Sequence, residues 1–165
     1  MTVRQFIKNL LENNWTASAS GRPNDVPQPE IVLEKTQVQN RLRNSDTIHV
    51  VTGGPESFDF QGFGAAAERA DRLVTCDIRT AKRGDTPGLI RMVGERDANN
   101  DRPRWGGLIG ETRRIINTKR RGHKEFDRIH AEEATPVLED GGKNYYRAAV
   151  QVRLEEYGAE IDTST

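Results

Sequence analysis

Tyr145-Tyr146-Arg147-Ala148-Ala149-Val150-Gln151-Val152-Arg153-Leu154 is the stretch that decides the fold. Tyr146, Ala148, Val150, Val152 and Leu154 alternate with Tyr145, Arg147, Ala149, Gln151 and Arg153. That period of two belongs to a strand with one buried face and one wet face. Just before it, Glu139-Asp140-Gly141-Gly142 has the chemistry of a hairpin turn. Residues 126–138 alternate more loosely and supply the partner strand, so the chain closes in a C-terminal β-hairpin. The pattern recurs from Asp71 to Ala81, where Val74, Cys76 and Ile78 oppose Thr75, Asp77 and Arg79. Shorter strands are expected at 30–35 and 46–52, the second ended by Gly53-Gly54-Pro55. Phe58, Phe60 and Phe63 lie around Gly62 and Gly64 and give a brief extended piece or an aromatic loop.

Two segments change the period to that of a helix. Thr2 is placed to cap a helix whose Val3, Phe6, Ile7, Leu10 and Leu11 share one apolar face, with Trp15 folding back onto it. A second helix is expected from Trp105 to Arg121, with Leu108, Ile109, Thr112, Ile115 and Ile116 inward. Glu111, Arg113, Arg114 and Lys119 face water in this reading. Lys119, Arg120 and Arg121 suit the negative end of the helix dipole, and Gly122 suits the residue beyond it. The order helix, strands, helix, hairpin predicts an α+β fold: a mostly antiparallel sheet with two main helices packed on it. Val74, Ile78, Val150, Val152 and Leu154 are then the sheet residues facing those helices.

The 165 residues suit a single domain spanning 1–165. Residues 16–29 and 94–104 are read as exposed loops and 158–165 as a polar tail, while 83–104 is punctuated by Gly84, Pro87, Gly88 and Gly94. Apolar residues are 34% and charged residues 30%, a low apolar share for a compact monomer. Either much of the chain is exposed loop or part of the stability comes from neighbouring subunits. The 25 basic and 25 acidic side chains balance, which argues against a general electrostatic nucleic-acid binder. Arginine outnumbers lysine by about three to one, from a GC-rich genome or from a need for bidentate contacts between proteins. The lone Cys76 excludes an internal disulfide and a cysteine-built zinc site, and is expected to be a small buried hydrophobe. The sequence has no apolar run of spanning length and no charged-then-apolar leader, so a soluble protein made in a cytoplasm is expected, without membrane contact.

Motifs for catalysis are weak. Gly62-Phe63-Gly64-Ala65-Ala66-Ala67 matches the glycine turn of dinucleotide sites, and Ala65 to Ala70 could open a helix. Only about two turns fit before Leu73, and Asp77 follows about 15 residues after Gly62 where the fingerprint wants about 20. A flexible turn is the better account. His49, His123 and His130 lack helical metal-ligand spacing and are read as polar surface residues. No Walker motif or Ser-His-Asp order occurs, so catalytic, cofactor-binding and metal residues are all expected to be none. The densest charge feature is Lys119-Arg120-Arg121-Gly122-His123-Lys124. It is a solvated helix end, or a patch facing phosphate or another subunit.

The layout resembles the tail terminator (tail completion) proteins of long-tailed phages and archaeal tailed viruses. Three stretches carry the likeness: Val3-Arg4-Gln5-Phe6-Ile7-Lys8-Asn9-Leu10-Leu11 as the first helix, Leu73-Val74-Thr75-Cys76-Asp77-Ile78-Arg79 as the central strand, and 145–154 as the last strand. The resemblance implies a virion structural protein, assembled in the host cytoplasm. It would form a ring, usually of six copies, that caps the head-proximal end of the tail tube. It would stop tube growth, join the neck or stopper protein, and let viral DNA pass through its lumen without sequence-specific contact. Head-tail stopper or adaptor proteins share the size and role, and a tail-tube subunit has a similar sheet. A small nucleotide-binding enzyme is the alternative from another class.

Overall fold

The computed structural model describes residues 2–15, 28–34, 46–52, 57–60, 67–81, 91–94, 106–123, 126–135, 138–139 and 145–160. The chain is α+β: the described residues form seven strands in one mostly antiparallel sheet and two helices of 12 residues on it. In chain order these are α1 (Val3–Asn14), β1 (Glu30–Val32), β2 (Thr47–Thr52), β3 (Ser57–Phe60), β4 (Ala67–Ala81), α2 (Gly107–Thr118), β5 (Arg128–Ala134), β6 (Leu138–Glu139) and β7 (Tyr145–Glu160). Residues 91–93 add a short helical turn before α2.

The sheet runs β1-β2-β4-β7-β5. β3 continues the row of β2 along β4, and β6 continues that of β5 along β7. Among the described residues only the β1–β2 pair is parallel. The spine is the β4–β7 ladder, in register from Ala81↔Tyr145 to Ala67↔Glu160 with one irregularity between Glu68 and Ala70. β6 and β7 form the expected C-terminal hairpin, Glu139 opposite Tyr146.

Alternation along the ladder sorts the side chains. Val74, Cys76 and Ile78 on β4 lie opposite Val152, Val150 and Ala148 on β7, and all six are buried. Ile48 and Val50 of β2 and Ile129 of β5 extend that face, and Leu154 closes it. Ile7, Leu11 and Trp15 from α1 and Leu108, Ile109, Ile115 and Ile116 from α2 complete one continuous core. Val74, Ile78, Val150, Val152 and Leu154 thus face the helices as their alternation requires. Burying one Leu- or Ile-sized side chain contributes about 1.5–3 kcal/mol, which is why this layer dominates the fold. Thr2 caps α1 as expected, its side chain accepting from the Gln5 amide at 3.1 Å.

Several boundaries differ from expectation. The polar tail placed at 158–165 begins too early, because β7 continues to Glu160 under β4 pairing that periodicity cannot see. The second strong strand starts at Ala67 rather than Asp71, since β3 and β7 flank it there. Residues 126–138 split into β5 and β6, with a register shift between Ala131 and Ala134 that accounts for the loose alternation. α2 spans Gly107–Thr118, shorter at both ends than expected, and Gly122 with φ +88° lies beyond its cap Lys119. Glu111 is buried rather than exposed. Two residues of the expected exposed loops are also buried, Pro29 at the end of 16–29 and Gly94 at the start of 94–104. Residues 16–27, 95–104, 62–66, 140–144 and 161–165 lie outside the described residues.

Candidate functional site

The sheet face away from the helices carries the charges. On β4, Asp71, Asp77 and Arg79 occupy the positions between core residues, and all three are buried. Asp77 accepts from Arg79 Nη2 at 2.8 Å and from Arg147 Nε at 3.0 Å. Arg79 also stacks over the Tyr145 ring, its guanidinium carbon 5.4 Å from the centroid. At the other end of the ladder, Asp71 accepts from Arg153 Nη1 at 2.9 Å, and Arg153 Nε donates to Glu132. The Glu132 hydrogen bond raises the guanidinium's affinity for its proton further above an already high value. His130 Nε2 lies 3.7 Å from Glu132. Between these two networks Val51 and Gln151 are exposed.

Two further ion pairs fasten the helical side. Glu111 takes Arg114 Nε on both carboxylate oxygens at 3.1 Å, and Arg114 Nη2 reaches the Asn14 carbonyl at 3.1 Å. This joins the last turn of α1 to α2. Asp46 accepts from the Thr80 hydroxyl at 2.5 Å, and Arg91 donates to Thr80 at 3.0 Å and to the Ala81 carbonyl at 2.8 Å. The helical turn at 91–93 is thereby tied to the ends of β2 and β4.

The expected site candidates scatter. Cys76 is fully buried, and burial pushes its thiol up to about 12, so it is protonated and enclosed at neutral pH. His49 is buried on the charged sheet face, its Nε2 3.3 Å from the Leu33 carbonyl, a correction to its reading as a surface residue. His123 is half-buried, its ring edge-on to Phe6 at 5.1 Å and its Nε2 2.6 Å from the Lys119 carbonyl. Among the described residues no three His, Cys, Asp or Glu side chains cluster as metal ligands. After the glycine turn the chain enters β4 at Ala67, a strand where a dinucleotide fingerprint needs a helix. No helix among the described residues is long and apolar enough to cross a membrane.

The basic run keeps its exposure. Lys119, Arg120 and Arg121 are exposed at the end of α2, while Lys124 lies outside the described residues. Beside Lys119 a cleft of about 290 Å³ opens where α1 and α2 end, with Asn13, Asn14, Trp15, Arg114 and Thr118 in its wall. The buried charge networks escaped sequence reasoning because alternation assigns every polar residue on a half-wet strand to solvent. The available signal was acid and base on one face at diagonal positions, Asp77 and Asp71 on β4 against Arg147 and Arg153 on β7, each arginine two residues off direct register. No protein-family model matches the chain, and no curated protein matches it either.

Proposed function

We propose that this chain is a virion structural protein that closes into a ring, of six copies, on the head-proximal end of a viral tail tube. It ends tube growth, joins the tube to the neck or stopper protein, and leaves a lumen for the genome. It is not an enzyme in this reading, and its place is the tail and neck of the particle, assembled in the host cytoplasm. The observation that carries the reading is the β4–β7 spine. An amphipathic first helix, a long central strand and a closing strand stand in the order of the terminator resemblance, with the central and closing strands paired along their length. Support also comes from the ladder's length: beyond Val74 it continues to Ala67, with β3 on its other flank from Asp71 to Glu68. Such a ribbon is suited to meet a neighbouring copy or the tube below. Ring contacts would be heterologous, two different patches meeting around a closed circle.

Negative-stain imaging of the purified protein, alone and with tail tubes, tests this. Closed rings with a central hole, and tubes that stop elongating once capped, are the expected result. Long tubes of this chain alone would make it a tube subunit. Attachment only to tubes already capped would make it a stopper, and a specific nucleotide titration would support the enzyme alternative. A strict monomer that ignores tube ends removes the reading.

A further inference from the structure

The end of α2 is built more firmly than a solvated helix terminus needs to be. The Lys119 amide bonds to the Ile115 carbonyl at 3.0 Å, and the Arg120 carbonyl accepts from the Ile129 amide at 2.9 Å. The Lys119 carbonyl meets His123 Nε2 at 2.6 Å, and the His123 ring is wedged against Phe6. Every one of these ties uses backbone or His123. The side chains of Lys119, Arg120 and Arg121 take part in none of them and are exposed, without an ion pair among the described residues. Three cations therefore project from a backbone fixed by other groups.

The adjoining cleft has matching chemistry. Asn13, Thr118 and Lys119 offer it amide, hydroxyl and cationic groups, while Arg114 and the Asn14 amide in the same wall are taken up by Glu111 and by the Asn14 and Leu10 carbonyls, and no carboxylate lies in its wall among the described residues. The nearest carboxylate in the helical network, Glu111, is held by Arg114. The cleft of about 350 Å³ beside β1, by contrast, is lined by Glu12 and Glu30. Trp15, the aromatic residue of the first cleft, is buried in the core, so no ring stands out for a base to stack on. Donors and fixed cations without stacking rings or carboxylates fit phosphates along a backbone rather than bases.

We propose that Lys119, Arg120 and Arg121, with the cleft that Lys119 borders, bind the sugar-phosphate backbone of duplex DNA without reading its sequence. Zero net charge over the whole chain gives no long-range attraction, so the binding is local and confined to low salt. Placing this surface in the lumen of a ring rests on the proposed function, whereas the contact itself does not. Imaging tests the ring and a binding isotherm tests the contact, so either can fail alone.

The experiment uses fluorescence anisotropy of the full chain with a labelled mixed-sequence DNA duplex from about 20 to 150 mM salt. The same titration is run with oligothymidylate and with labelled polyglutamate. The triple variant Lys119→Gln, Arg120→Gln, Arg121→Gln spares every backbone tie and should fold like the parent by circular dichroism. It should bind duplex at least about tenfold more weakly at 50 mM salt, and the slope of log K against log salt should shrink by about 2.7, from about 0.9 per phosphate contact. Arg120→Lys with Arg121→Lys should keep most of the binding. An unchanged slope in the triple variant overturns the proposal, as does absence of duplex binding by the parent at 20 mM salt. Tighter binding to oligothymidylate than to duplex overturns it in favour of a single-strand site. Equal binding to polyglutamate, lost in the triple variant, overturns it in favour of an acidic protein surface.

Discussion

The Ile129 amide donates to the Arg120 carbonyl at 2.9 Å, which ties the edge strand β5 to the chain leaving α2. Two residues on, the Ala131 amide donates to Asn117 Oδ1 at 3.1 Å. An edge strand with free amides is a template for stray pairing, and here two of the outward amides are taken up within the chain. α2 also ends at Thr118, freeing the Arg120 carbonyl for this bond. A ring built from this chain would therefore have to close through surfaces other than the middle of β5.

Asn117→Ala removes the acceptor for Ala131 and leaves that amide at the edge. Stability should fall by about 1 kcal/mol, the usual net worth of such a bond. Amide exchange at Ala131 should quicken while that at Ile129 stays slow. Equal protection at both sites would mean that the Asn117 contact holds nothing.

Gly107 tests how closely α2 approaches the helical turn before it. Its φ is +67°, and a Cβ there would meet the Met92 carbonyl carbon and oxygen at 2.4 Å and the Val93 nitrogen at 2.6 Å. All three are backbone atoms, so neither rotamer change nor a small shift relieves the clash. Gly107→Ala should cost more than about 2 kcal/mol through overpacking and backbone strain, read as a lowered urea midpoint.

The strands and helices were legible in the sequence wherever one face is apolar and the other wet. Val3 to Leu11 and Tyr146 to Leu154 show this plainly, because a single period persists over several turns or pairs. The extra length of β4 and β7 was not legible: Ala67 to Ala70 and Tyr157 to Glu160 have no clear alternation and are strands because β4 and β7 pair with each other there, with β3 on the other side of β4. Nor was the burial of Asp71, Asp77 and His49, which depends on which residues lie across the sheet. Glu111 misled for a related reason. Its place on the helix wheel is polar, yet Arg114 and the end of α1 enclose it. The basic run was legible as charge, while the pins that fix its backbone come from Ile129 and Phe6, distant in sequence.

Val152 lies at the centre of the helix-facing layer, opposite Val74 and Ala131, with no exposed surface. Val152→Asp would place an unpaired charge there, at a cost of several kcal/mol. The variant should fail to accumulate as folded protein, whereas Gln151→Asp next to it, on the exposed side, should fold. Equal melting of Val152→Asp and the parent would overturn the strand register.

Cys76 gives the chain an alkaline limit. Burial lifts its thiol from 9.0 to about 12, so the folded state holds the proton more tightly than the unfolded state. The stabilisation is complete below pH 9 and is lost as pH rises from there through about 12, by at most about 1.4 kcal/mol per pH unit. Cys76→Ala will be less stable at pH 7 through its cavity, yet its stability should fall less steeply above pH 9. Urea titrations of both proteins between pH 7 and 10.5 measure this, and parallel curves would refute it. At pH 8 the native thiol should also react with a disulfide reagent only as fast as the protein opens.

Asp77 holds two guanidiniums at once, and the two contacts are unequal. Arg79 is buried, with Nε lacking a hydrogen-bond partner among the described residues, so Asp77 and the Tyr145 ring are what balance its charge. The Arg147 side chain is 50% exposed and loses little if released to water. Asp77→Ala should therefore destabilise by about 3–5 kcal/mol, because it strands a buried cation. Arg147→Ala should cost no more than about 1 kcal/mol, as for an exposed pair. Replacing both Asp77 and Arg79 by apolar residues of similar volume should recover much of the loss, since the cost lies in the unpaired charge rather than in the missing bond. A double-mutant cycle in urea measures the coupling directly. If Asp77→Ala and Arg147→Ala cost the same, Arg79 is balanced by something else, and the carboxylate is not what holds this face of the sheet.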